Sequence, residues 1–88
     1  MIVAVVLTFD PAPGMLEECV GALVSGGGVD RIVVVDNGDA AADVVGSESP
    51  MPAVEVIRTG RNIGYAGGMN VGIERAVGLD AEAVALLN

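Results

Sequence analysis

The 88-residue chain contains no lysine, no histidine and no tryptophan, and it has a single cysteine, one tyrosine and one phenylalanine. Without histidine there is no imidazole base and no histidine-ligated zinc. Without lysine there is neither a Walker phosphate loop nor a Schiff-base nucleophile. The four basic residues are all arginines (Arg31, Arg58, Arg61, Arg75), set against 12 acids for a formal charge of −8. No basic stripe exists to neutralise phosphates, which argues against DNA or RNA as a partner. Phe9 and Tyr65 alone cannot build the stacking platforms of single-strand binders. The lone Cys19 cannot close an intramolecular disulfide, so nothing points to an oxidising compartment. A reactive thiol is the sharper reading of Cys19, but its place in an apolar helical pattern favours packing. The longest uninterrupted apolar run, Met1–Leu7, falls far short of the ~20 residues of a spanning helix. It also lacks the basic n-region and cleavage site of a signal peptide. These absences predict a soluble, cytoplasmic chain with no transmembrane segment.

What is present is apolar residue in quantity, 52% of the chain. A chain of this length makes one small domain, burying only about 60–65% of its unfolded surface, so marginal stability is expected. Ile2–Leu7 (IVAVVL) reads as a strand buried on both faces, the pattern of a parallel sheet. It ends at the turn Thr8-Phe9-Asp10-Pro11. Leu16, Cys19, Val20, Leu23 and Val24 then form one face of an amphipathic helix over Gly14–Ser25. Glu17 and Glu18 sit near its favourable end, and Gly26-Gly27-Gly28 stops it. Ile32–Val35 (IVVV) is a second buried strand running into Asp36-Asn37-Gly38-Asp39. Asn-Gly is a hairpin signal, but the alanine-rich Ala40–Val45 that follows suits a short helix, with Gly46–Pro52 as a connector. Ala53–Ile57 makes a third strand. A glycine-rich stretch from Thr59 to Gly72 leads into a helix from about Ala66, with Met69, Ile73 and Val77 on its buried side. Ala83–Leu87 is a fourth strand. Strands alternating with helices, each strand buried on both faces, predict an α/β fold with a parallel sheet and crossover helices.

Ligands of open parallel sheets bind at the carboxyl ends of the strands, and the unusual polar residues cluster there. Thr8 and Asp10 follow the first strand, Asp36 and Asn37 the second, Arg58 to Asn62 the third and Asn88 the fourth. Asp36 is the strongest candidate, because a carboxylate directly after IVVV can accept from a base N–H or a ribose hydroxyl. The competing reading is a turn aspartate bonding its own backbone. For Asp10 the competing reading is a helix cap. The glycine-rich stretch is neither a dinucleotide fingerprint nor a phosphate loop. Its helix start offers N–H groups to an anion, but on the residues alone a tight turn with close helix–sheet packing is the favoured reading. Asp10 and Asp36 as a phospho-acceptor pair would need a lysine, and the chain has none.

Taken in order, IVAVVLTFDP, L-x-x-C-V-x-x-L, IVVVDNGD, RNIGYAGGMNVGIERA and AVALLN resemble the N-terminal part of a family 2 glycosyltransferase, closest to the rhamnosyltransferase-like branch. The resemblance implies the nucleotide-binding half of a GT-A, Rossmann-like fold. It implies a nucleotide diphosphate sugar, UDP- or dTDP-linked, as the ligand, with inverting transfer to a hydroxyl acceptor. The family's T-Y-N turn falls on Thr8, Phe9 and Asp10, departing at the last two. Its V-D-N-G-S motif falls on Val35 to Asp39, where the aspartate, here Asp36, contacts the base, with Asn37 beside it. Its glycine-rich motif falls on Arg61 to Gly72 and implies donor-pocket roles for Arg61, Asn62, Gly64, Gly68 and Asn70. Gly67 and Gly72 also match; Tyr65 and Met69 depart.

Family members continue into a D-x-D-type motif that holds manganese or magnesium against the diphosphate, and then into the catalytic base. Those segments would lie past Asn88, so residues 1–88 are expected to form one partial domain that is inactive alone and contributes no metal ligand. The resemblance places the parent in the cytoplasm, with any peripheral attachment to the inner membrane face made by the missing part. The competing class is a non-catalytic nucleotide-binding or interaction module. A sugar nucleotidyltransferase fits less well, because Thr8–Gly14 has no basic residue. The uncovered apolar sheet surface of a half-domain is expected to drive self-association.

Overall fold

The computed structural model describes residues 1–38 and 53–88. Six elements follow in order: β1 (Ile2–Thr8), α1 (Met15–Gly26), β2 (Arg31–Asp36), β3 (Ala53–Arg58), α2 (Gly64–Gly78) and β4 (Ala83–Leu87). The expected short helix Ala40–Val45, the connector Gly46–Pro52 and Asp39 lie outside the described residues. The four strands form one sheet in the order β3-β2-β1-β4, and every pairing is parallel. The fold is therefore α/β and Rossmann-like, as the alternating pattern predicts.

Strand pairs in register place their side chains on the same face, so the sheet divides cleanly. Val3, Val5, Leu7, Val33 and Val35 face α2, where Met69 and Ala76 complete the core. Ala4, Val6, Ile32 and Val34 face α1, meeting Leu16 and Val20, with Cys19, Leu23 and Val24 packed alongside. The apolar stripe read from Leu16 to Val24 is thus the docking face of α1, and Cys19 packs there, half-buried. Each fully buried valine or isoleucine contributes roughly 1.5–3 kcal/mol, so β1 and β2 hold most of the stabilising burial.

Two expectations are corrected. Burial on both faces holds for β1 and β2 but not for the edges. β3 is half-buried, and β4 is exposed at every position but Leu87. Val84 and Leu86, at 36% and 49% exposure, stand on the α2 side but are left largely uncovered. Val77, expected on the buried side of α2, is 67% exposed. Met69 is buried as expected and Ile73 half-buried, and Gly68, Gly72 and Ala76 complete the buried face. A Cβ at Gly68 would collide with the Leu7 side chain, and one at Gly72 with Val5. Only glycine lets the helix axis come so close, and Val77 lies off the face that Gly68, Gly72 and Ala76 turn to the sheet.

The outer end of this interface carries an ionic clamp. Glu55 on β3 takes two bonds from Arg75 of α2, Nε at 2.7 Å and Nη2 at 3.1 Å. Arg31 of β2 approaches the same carboxylate at 3.8 Å. The hydrogen bond to Glu55, reinforced by its charge, raises the Arg75 pKa above the ordinary value.

Candidate ligand cleft at the carboxyl edge

The chain runs outward from β1 to β2 and β3, then crosses to β4 on the other side of β1. Strand order therefore reverses between β1 and β4, and the crevice outside the carboxyl ends at such a point is where ligands of open α/β sheets sit. Two adjoining clefts occupy this edge. One, of about 230 Å³, is lined by Leu7, Thr8, Phe9, Asn37, Asn62, Gly64, Tyr65 and Asn88. The other, of about 240 Å³, is lined by Phe9, Asp10, Asn37, Gly38, Gly60 and Arg61. Phe9 and Asn37 line both. Each cleft alone is smaller than a typical small-molecule site of roughly 300–1,000 Å³, whereas the pair together falls within that range.

Asp36, the last residue of β2, is fully buried and lines neither cleft. Its Oδ1 accepts from the Gly38 N–H at 2.8 Å, so half of the carboxylate makes the backbone turn that was the competing reading. Its Oδ2 is buried and has no partner. The neighbouring Asn37 is 3% exposed and is held from two sides. Its Nδ2 donates to the Gly64 carbonyl at 3.0 Å, and its Oδ1 accepts from the Thr59 hydroxyl at 2.9 Å. That bond to Gly64 joins the end of β2 to the first residue of α2.

The start of α2 is built by Asn62, whose Oδ1 accepts from the Gly64 N–H at 2.9 Å. This local bond satisfies a helix-start donor and begins the helix at Gly64, two residues before the expected Ala66. Gly64 has φ +83, a left-handed conformation that a side chain would strain. Asp10 is also left-handed, with φ 44. It does not cap α1, which starts after Gly14 without a side-chain cap.

The structure thus brings Thr8, Phe9, Asp10, Asn37, Arg61, Asn62 and Gly64 to the cleft walls, whereas Asp36 is buried and lines neither cleft. Gly68 lies under the floor, where a Cβ would meet both Leu7 and Asn37 Nδ2. Asn70 is exposed on α2 and lines neither cleft. Thr59 carries no motif signal beyond its place in the polar run after the third strand and lines neither cleft, yet three acceptors surround its hydroxyl. Its Oγ1 lies 2.6 Å from the Arg61 carbonyl, 2.9 Å from Asn37 Oδ1 and 3.2 Å from the Asp36 carbonyl. Compared with known proteins, the chain matches no family model, no curated protein and no solved structure. Among the described residues, no helix is long and apolar enough to cross a membrane.

Proposed function

We propose that this chain binds the nucleotide of a UDP- or dTDP-linked sugar at the carboxyl edge of its sheet, as the donor-binding half of a family 2 glycosyltransferase. The observation that carries the reading is the Asp36 carboxylate. One oxygen is used by the Gly38 N–H, and the other is buried without a partner at the carboxyl end of β2, next in sequence to Asn37, which lines both clefts. An unsatisfied buried acceptor costs about 1–3 kcal/mol, more when charged. A base N–H or a ribose hydroxyl would relieve that cost. Arg61 on the cleft wall and the N–H groups at the start of α2 suit the negative diphosphate.

In the parent reaction the sugar would pass with inversion to a hydroxyl acceptor, and a divalent metal would offset charge on the leaving diphosphate. Among the described residues no three histidine, cysteine, aspartate or glutamate side chains group to hold an ion. Donor binding is assigned to Asp36, Asn37 and Arg61.

Titration calorimetry with UDP- and dTDP-sugars tests the reading. Weak binding is expected, little changed by manganese. Asp36→Asn keeps the acceptor for Gly38 but replaces the free oxygen with a donor. It should weaken binding about 10- to 100-fold, the weight of a hydrogen bond to a charged group, with an unchanged circular dichroism spectrum. Absence of binding by the unmodified chain to either class of sugar nucleotide would overturn the proposal.

A further inference from the structure

We infer that Thr59 is a positioning residue whose hydroxyl ties the Asn37 side chain to the Arg61 backbone and so sets where Arg61 and Asn62 stand in the cleft. The geometry stands alone; its consequence for affinity rests on the nucleotide reading above. A threonine hydroxyl has one proton to give, yet three acceptors surround Thr59 Oγ1. They are the Arg61 carbonyl, Asn37 Oδ1 and the Asp36 carbonyl. The Asp36 carbonyl already accepts from the Thr59 backbone N–H at 3.1 Å. Asn37 cannot turn its amide around to donate instead, because its Nδ2 is committed to the Gly64 carbonyl. One proton therefore serves two acceptors, one on the cleft wall and one in the segment that carries Arg61.

Asn37 lines both clefts, so a bound molecule that donates to its Oδ1 supplies the missing proton. The Thr59 hydroxyl then settles on the Arg61 carbonyl, and residues 59–64 tighten as the ligand binds. A donor-bearing ligand is thereby favoured over one presenting only acceptors, and Arg61 is fixed in the state where its charge is needed.

Hydrogen exchange and UDP titration on the unmodified chain, Thr59→Val and Thr59→Ser test this. Valine keeps the shape and the backbone N–H bond to Asp36 while removing only the hydroxyl. In Thr59→Val, amides of residues 61–64 should exchange about 10-fold faster and UDP should bind about 3- to 10-fold more weakly, the weight of one neutral hydrogen bond. Amides at Val5 and Val33 should be unaffected, and Thr59→Ser should behave like the unmodified chain. Unchanged exchange at 61–64, equal UDP affinity, failure of serine to restore either, or acceleration reaching Val5 and Val33 would each overturn the inference. If the unmodified chain fails to bind UDP or any sugar nucleotide, the nucleotide reading falls, while the exchange comparison still decides whether Thr59 positions the segment.

Discussion

Gly72 stands where α2 meets the sheet, with no room for a side chain between it and Val5 and Val35. Gly72→Ala should destabilise the chain by about 1–3 kcal/mol through overpacking, read as a lower urea midpoint. Gly78 is the control. It occupies the last position of the same helix with open space around it, so Gly78→Ala should be neutral or stabilise by up to about 1 kcal/mol. The pair shows what single residues disclose before a structure is known. Of the large apolar side chains at helical spacing, Met69 is buried, Ile73 half-buried and Val77 exposed, while the closely approaching helix also hides its smallest residues, Gly68, Gly72 and Ala76. The candidate site is legible in the same partial way. Asp36 and Asn37 stand out because charge and amide directly follow an apolar run. That Gly38 occupies only one carboxylate oxygen depends on the folded turn, and Thr59 matters only because three separate acceptors converge on it.

At the scale of elements, periodicity is informative wherever a helix has one dry side. Leu16, Cys19, Val20, Leu23 and Val24 mark the docked face of α1, and Leu16 is its most buried member at 3%. Leu16→Ala should cost about 2–4 kcal/mol by leaving a cavity against the sheet, measured as a fall in unfolding free energy. Strands are read less completely. Val3–Leu7 and Ala83–Leu87 are both uninterrupted apolar runs, but one lies at the centre of the sheet and the other at its margin. A run of apolar residues reports that a strand forms; its neighbours decide how much of it is covered. The Glu55–Arg75 clamp between β3 and α2 adds a tie that periodicity cannot show. Its effect on Arg75 follows from sign alone. A raised arginine pKa contributes fully below the ordinary arginine value and is lost only as pH climbs through the raised one. Stability near neutrality is therefore insensitive to this group.

For the whole molecule, the uncovered β4 sets the behaviour in solution. Its edge has no charge, proline or bulge over Ala83–Leu87, the usual guards against strand-to-strand pairing. Sedimentation should show self-association opposed by the −8 charge, and hence stronger as salt screens the repulsion. Leu86→Lys, at a half-exposed position, should yield a monomer with stability changed by no more than about 0.5 kcal/mol. A monomer at all salt concentrations without that substitution would contradict this expectation. The order of the sheet also imposes an order on synthesis. β1 precedes both of its partners in the chain, bonded to β2 on one side and to β4 on the other. It therefore leaves the ribosome as an incomplete edge and stays one until residues 83–87 have emerged. Glu82 donates its N–H to the Met1 carbonyl at 2.8 Å, so the closing contact joins opposite ends of the described chain. Nascent chains that stall within α2 would leave the β1 edge from Ile2 to Val6 unpaired, the moment at which a chaperone would have most to hold.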